Sequence, residues 1–277
     1  MDGLVKWLGA TYPTMQLIFF RALFAFIPLS LFLFSGKPGE RFRFGDPLGH
    51  VLRAIAGLVS LSAFFYAFAH MPLADVVAIA FAAPLFVTAL SVPLLGERVG
   101  PRRWLAVLVG FVGVLIMVRP GSGVFEPLAA LALVATLFYA LVLIFVRRLV
   151  HSNSNAAIVL VYLLVSIVVS GAFLPFQWVT PTLTDLGLLV ALGLVGGLAQ
   201  LTATAGYRYA DASVLAPFDY LTILWASLIG YFVWGEIPGN HIWLGVALVI
   251  GSGLYILYRE ARLGLPRGIA RWLQARR

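Results

Sequence analysis

Apolar runs of roughly 20 residues, each closed by a short break of charged, glycine or proline residues, recur along nearly the whole chain. The pattern predicts membrane-spanning helices at about 13–35, 51–70, 72–95, 103–119, 126–146, 156–175, 185–206, 213–234 and 241–258. Hydrocarbon offers the backbone no water partners, so runs of this length satisfy their own N–H and C=O groups as helices. The weaker alternation of a transmembrane barrel strand is not visible. Residues 1–10, with Asp2 and Lys6, predict only a short amphiphilic stub. Pro13 and then Gly36, Pro38, Gly39, Asp46 and Pro47 punctuate the early connections. The other connections are short, and none reads as a linker to a soluble domain.

One stretch of the pattern returns 139 residues later. Gly96-Glu97 followed by Trp104-Leu105-Ala106-Val107 reappears as Gly235-Glu236 followed by Trp243-Leu244-Gly245-Val246, with the same gap. An odd number of spans separates the copies, so they cross the bilayer in opposite directions. The expectation is an all-α integral membrane protein of two inverted-topology repeats of about five helices each, with about nine full transmembrane helices. The repeats divide the chain at 1–122 and 123–260, followed by a basic tail at 261–277. The second half holds five spans and the first holds four plus the stub, so symmetry predicts a first helix largely missing from the start. Inverted repeats point to secondary transporters, whose halves rock about a site near the midplane.

Composition agrees with that solvent. Hydrophobic residues make up 62% and charged residues 11% of the chain, and the mean hydropathy is +1.00, far more apolar surface than a soluble domain of this size could bury. The net charge of +8 follows the topology. Lys37, Arg41, Arg43 and Arg53, then Arg98, Arg102 and Arg103, Arg147 and Arg148, and Arg208 fall at one side of the alternating spans, as does the arginine-rich tail, whereas Arg119 stands on the other. The positive-inside rule makes the rich side, and with it the C-terminus, cytoplasmic. Arginines dispersed in this way do not form a nucleic-acid surface. In the tail, Ile269, Trp272 and Leu273 alternate with arginines, which suits a basic segment lying on anionic lipid. The chain has no cysteine, which removes disulfide and thiolate chemistry. It carries no His-Glu-x-x-His, Gly-x-Ser-x-Gly or phosphate-cradling motif, and its four histidines are scattered. No enzyme, cofactor or metal site is expected. A channel or structural subunit would share the composition, but channels usually build a pore from oligomeric rings, whereas two inverted halves in one chain already enclose a site. Whether the chain forms a homodimer is left open by the sequence.

The stretch from Tyr66 through Pro120 (YAFAHMPLADVVAIAFAAPLFVTALSVPLLGERVGPRRWLAVLVGFVGVLIMVRP) resembles the first EamA repeat of the drug/metabolite transporter superfamily. That from Tyr207 through Glu260 (YRYADASVLAPFDYLTILWASLIGYFVWGEIPGNHIWLGVALVIGSGLYILYRE) resembles the second. The resemblance implies ten helices in two inverted halves of five. Ala216-Pro217-Phe218-Asp219-Tyr220 followed by Gly235-Glu236 is similar to bacterial carriers for S-adenosylmethionine, amino acids and related metabolites, some exporting and others taking up. The expected function is an inner-membrane secondary transporter that exports an amino acid or amino-acid-derived metabolite by alternating access. The alternatives are uptake of S-adenosylmethionine or another nucleoside-like or vitamin-like metabolite, and, in another class, a channel or scaffold.

The candidate site is the set of polar groups that lipid makes costly. Arg21 lies about eight residues into its span, near the midplane, where an arginine costs roughly 2.5–3.5 kcal/mol on insertion scales. It suits a substrate carboxylate or phosphate, or equally an internal ion pair that fixes packing. Asp219 sits in an uncharged run roughly 8–9 Å deep, to bind an amine, carry a proton or pair structurally. Asp75 in the first turn of its span reads as a helix-start residue, and Glu97 and Glu236 read as cap and loop residues on opposite faces. Ser62, Tyr66 and His70 form one helical stripe, and Gln200, Thr204 and Tyr207 form another, suited either to a wetted cavity or to interhelical hydrogen bonds. Tyr139, Tyr220 and Trp225 lie within spans and offer stacking surfaces or ordinary packing. Pro84 and Pro217 interrupt related helices as hinges or static kinks. Gly193 and Gly197, Gly110 and Gly113, and Gly251-Ser252-Gly253 permit close helix approach.

Overall fold

The computed structural model describes residues 1–35, 43–95, 99–118, 126–150, 152–209 and 221–262. Among these, all regular structure is helical: α1 (Asp2–Gly9), α2 (Thr14–Ser35), α3 (Pro47–His70), α4 (Leu73–Ala80), α5 (Ala83–Leu95), α6 (Pro101–Val118), α7 (Glu126–Leu149), α8 (Asn155–Gln177), α9 (Leu183–Tyr209), α10 (Leu221–Trp234) and α11 (Asn240–Arg262). Seven spans are long and apolar enough to cross a membrane, with α4 and α5 together forming one of them, and α10 and part of α11 are shorter apolar helices. The chain is a multi-pass membrane protein.

The repeat is visible in which helices meet. A shift of 139 residues brings the starts of α2, α3, α5 and α6 to within three residues of the starts of α8, α9, α10 and α11, and brings α1 onto the last turns of α7. α6 and α11 pack antiparallel. A Cβ added at Gly110 would meet Ser252 Oγ at 2.6 Å, one added at Gly113 would meet Val249 Cγ2 at 3.1 Å and the Gly245 carbonyl oxygen at 2.8 Å, and Gly245 in turn abuts Met117. The same shift exchanges the Gly110–Ser252 and Gly113–Val249 contacts, the signature of a two-fold relating the halves. Trp104 and Trp243, each near the start of its helix, therefore sit at opposite ends of the pair.

Two faces follow from the alternation. One carries residues 10–13, 71–72, 178–182 and 235–239. There Tyr12 donates to Asp185 Oδ2 at 2.8 Å, and Gln16 exchanges hydrogen bonds with the backbone of Val179, its Nε2 donating at 2.6 Å and its Oε1 accepting at 3.0 Å. On the other face, Asn153 Oδ1 accepts from Gly45 N and pairs with His50 Nε2, and Arg148 approaches Asp46 at 3.3 Å.

Residues 1–10, which read as a stub, fold as a helix with Val5, Lys6 and Leu8 buried. It runs from the centre of the bundle to the first face, where Trp7 meets Trp234. There Lys6 Nζ lies 2.6 Å from Glu236 Oε1 and donates to the Met71 carbonyl, while Glu236 Oε2 accepts from Leu73 N at 2.9 Å. Glu236 is thus a cap, as expected, but of a helix in the other half. Gly235 makes this possible with φ 69°, a left-handed conformation that turns the chain after α10. Glu97, its counterpart, lies outside the described residues.

Candidate functional site

Between the halves lies a cavity of about 350 Å³, within the range that holds a small organic ligand. Its lining comes from both repeats, from α1 to α5 on one side and α7 to α10 on the other.

One wall is a single stripe of α3: Arg53, Gly57, Ser60, Phe64 and Phe68 all line the space. This is the helical face expected of positions three and four apart. α3 begins at Pro47, with Asp46 as N-cap accepting from Gly49 N at 3.0 Å, so Arg53 stands almost two turns inside the helix. Hydropathy alone starts that span at 51 and so puts Arg53 among the charges at a span end. The structure corrects this: Arg53 is 2% exposed, and its guanidinium carbon lies 3.9 Å from the ring centre of Tyr162 on α8. The stack satisfies the flat face of the cation. Its Nε and Nη1 are buried without a hydrogen-bond partner among the described residues. Gly57 admits the ring, since a Cβ there would stand 2.9 Å from Tyr162 Cε2.

Arg21 reaches the same cavity from α2 and is 5% exposed. It crosses α9 at Gly196, where a Cβ would meet its Nε at 2.8 Å, and that Nε also has no partner among the described residues. Gly193 and Gly197, on either side, let α9 lie directly against Phe24, Ala25 and Pro28 of α2. Asp2 brings one carboxylate to the lining.

Another part of the lining is a broken helix. Phe81 N and Ala82 N bond three residues back, to Ala78 and Ile79, at 3.2 and 3.0 Å, and α5 then starts afresh. Pro84 has no N–H to return to the Ala80 carbonyl. Ala80, Phe81, Ala83 and Pro84 all line the cavity, so the interrupted backbone faces the space where ligand would sit. Irregular backbone at membrane depth is tolerated where it borders such a cavity.

The structure therefore brings together Arg21, Tyr139, Gln200 and Pro84 of the sequence candidates. Thr204 is buried behind them. It donates to the Gln200 carbonyl at 2.7 Å and accepts from the Gln200 side chain at 3.4 Å, which steadies that amide. The Tyr66 and His70 rings stack on each other 4.2 Å apart, with Tyr66 43% exposed, outside the cavity. Ser62, Tyr66 and His70 each lie two positions on from Ser60, Phe64 and Phe68, a turn of about 200° around the helix. Trp225 is 64% exposed on the outer side of α10. Asp219, Tyr220, Pro217 and the side chain of Tyr207 lie outside the described residues. Tyr162, Asp2 and Arg53 were not singled out in the sequence. For Arg53 the signal was there, in the Asp46-Pro47 helix start followed by a shared stripe with Gly57, Ser60 and Phe64.

The profile of the EamA-like transporter family matches residues 4–119 and again 127–258. The chain belongs to this family. Among curated relatives of this EamA-like chain, the S-adenosylmethionine uptake transporter of Rickettsia bellii (strain RML369-C) is 29% identical over 94% of this chain and 89% of its own. The pseudopaline exporter CntI of Pseudomonas aeruginosa (strain UCBPP-PA14) is 32% identical over 93% and 88%. The riboflavin transporter of Rhizobium johnstonii (strain DSM 114642 / LMG 32736 / 3841) is 29% identical over 95% and 87%. A solved crystal structure is similar in fold, with a TM-score of 0.63 and 20% identity over 95% of this chain and 97% of that one. This EamA-like protein is a small-molecule transporter and not an enzyme.

Proposed function

We propose that the chain is a bacterial inner-membrane carrier that exports an amino-acid-derived metabolite by alternating access, with its C-terminus in the cytoplasm. The observation that carries the reading is the cavity between the two halves, which is lined both by the buried guanidinium of Arg21 and by the break at Phe81-Ala82. A fixed cation is a fit partner for a carboxylate. Discontinuous helices are what transporters of inverted-repeat design place at their binding sites. The proposed site comprises Arg21, Arg53, Tyr139, Tyr162 and Gln200, with Pro84 at the break. Asp219 joins it as a partner for a substrate amine. The halves meet near residue 122.

A second reading, uptake of a bulkier metabolite, draws support from the aromatic wall, in which Phe64 meets Tyr139 edge to face at 6.4 Å, and from the relatives named for S-adenosylmethionine and riboflavin.

The test is flux in liposomes made with the full chain. Saturable uptake of labelled amino-acid derivatives, lost in Arg21→Ala without loss of folding, is the expected result. Flux proportional to concentration without limit marks a channel and ends the carrier reading. Counterflow against export from loaded vesicles of known orientation separates the two directions.

A further inference from the structure

The cavity holds two arginines where a single carboxylate needs one. Resting on the carrier reading above, we infer that the cargo carries two anionic groups, one met by Arg21 and the other by Arg53, and that Arg53 on Tyr162 sets the preference for the second.

Three observations support this. First, both guanidiniums are buried in one cavity, and Arg21 Nε and Arg53 Nε and Nη1 have no hydrogen-bond partner among the described residues. Arginine does not discharge itself by losing a proton, so such a group is retained at membrane depth where something anionic visits it. Second, the neighbouring charges are committed elsewhere: Glu236 pairs with Lys6 and Asp46 with Arg148, each at a face of the bundle. Asp2 is the acidic side chain among the described lining residues and lies in the field of Arg21, so one carboxylate faces two guanidiniums and positive charge remains in excess. Third, the two cations approach from opposite faces. α2 enters at Thr14 and α3 at Pro47 on the other side. The rise of a helix therefore puts the backbones of Arg21 and Arg53 roughly 10–15 Å apart along the membrane normal. Two cations reaching one cavity from helices that start on opposite faces suit a molecule with two separate acids better than one doubly charged phosphate.

The Tyr162 ring is the device that orients Arg53. By taking the flat face of the guanidinium it leaves the N–H edge free for a carboxylate, a fork geometry that a mobile side chain would have to find on its own.

The experiment uses the purified full chain and three matched pairs of probes: glutamate with norvaline, aminoadipate with norleucine, and para-carboxyphenylalanine with phenylalanine. Each pair differs in the second carboxylate. Affinity is read from thermal stabilisation in detergent and from competition with flux in liposomes. We expect the dicarboxylates to bind roughly tenfold or more tightly than their partners. Arg53→Gln should abolish the preference, weakening each dicarboxylate roughly tenfold more than its monocarboxylate partner. Tyr162→Leu, which keeps the charge and removes its platform, should narrow the preference in the same direction, and serves if Arg53→Gln does not fold. Equal affinity within pairs, no binding of any dicarboxylate, or equal loss for both members of a pair in these variants overturns the inference. Saturable flux of monocarboxylates without preference overturns it too and leaves the carrier reading intact.

Discussion

Lys6 Nζ and Glu236 Oε1 stand 2.6 Å apart, with their side chains 9% and 21% exposed, and so tie the first helix of the chain to the turn that follows α10. The second oxygen of Glu236 caps α4 at Leu73, which places one carboxylate at the junction of three elements from both repeats. A carboxylate at a helix N-terminus also meets the positive end of the helix dipole. Glu236→Gln should therefore destabilise the protein by about 3 kcal/mol, because it leaves Lys6 buried without its counter-charge. The double variant Lys6→Met with Glu236→Gln should recover a large part of the loss. Thermal unfolding of the purified variants reads both, and simple additivity in the cycle would show that the pair is not coupled.

The α6–α11 contact is close because glycines face each other. Gly113→Val would push a side chain into the Gly245 carbonyl, which a Cβ already meets at 2.8 Å, and backbone cannot retreat as a flexible side chain does. A loss of about 1–3 kcal/mol is expected from this overpacking. Gly251 on α11 has nothing within 4 Å of an added Cβ, so Gly251→Ala should be neutral or stabilising, by up to about 1 kcal/mol from helix propensity. Equal effects at both positions would mean that the helices do not meet along this line.

Gly196 allows Arg21 to cross α9. An alanine there would bring its Cβ to 2.8 Å from Arg21 Nε, and the flexible arginine would yield before the backbone did. Gly196→Ala should thus raise KM for flux several-fold, while thermal stability changes by less than about 1 kcal/mol. Unchanged transport would remove Arg21 from the binding site.

Much of this molecule was legible before its coordinates. Hydropathy gave the spans, and the two Gly-Glu and Trp-Leu elements gave the antiparallel halves, because a helix in lipid has to be both long and apolar and the repeats kept their helix ends. Side-chain direction was harder to read. A two-residue offset separates the cavity stripe of α3 from the stripe that carries Tyr66 and His70, and hydropathy in an all-apolar helix does not say which stripe faces inward. Trp225 illustrates the same limit, since an aromatic ring is at home in lipid as well as in a pocket. Arg53 reads as a span-end charge because polar residues near a span end blur its start. The cap at Asp46 settles that start only when read as a cap. Glu236 was seen as a cap residue, but its partners Lys6 and Leu73 are joined to it by folding alone.

The orientation proposed here can be tested cleanly because the chain contains no cysteine, so each introduced one is a lone reporter. Ser152 is exposed between α7 and α8, on the face of Asp46 and Arg148, and Thr180 is exposed between α8 and α9, on the face of Glu236. One helix separates the two positions, so they should report opposite sides of the membrane. If the arginine-rich face is cytoplasmic, as the bias of positive charge requires, Thr180→Cys in intact cells reacts with a membrane-impermeant maleimide, whereas Ser152→Cys reacts only after the membrane is opened. The reverse pattern would invert the molecule in the bilayer and place the Lys6–Glu236 junction on the inside. Labelling of both positions in intact cells would contradict the passage of α8 across the membrane.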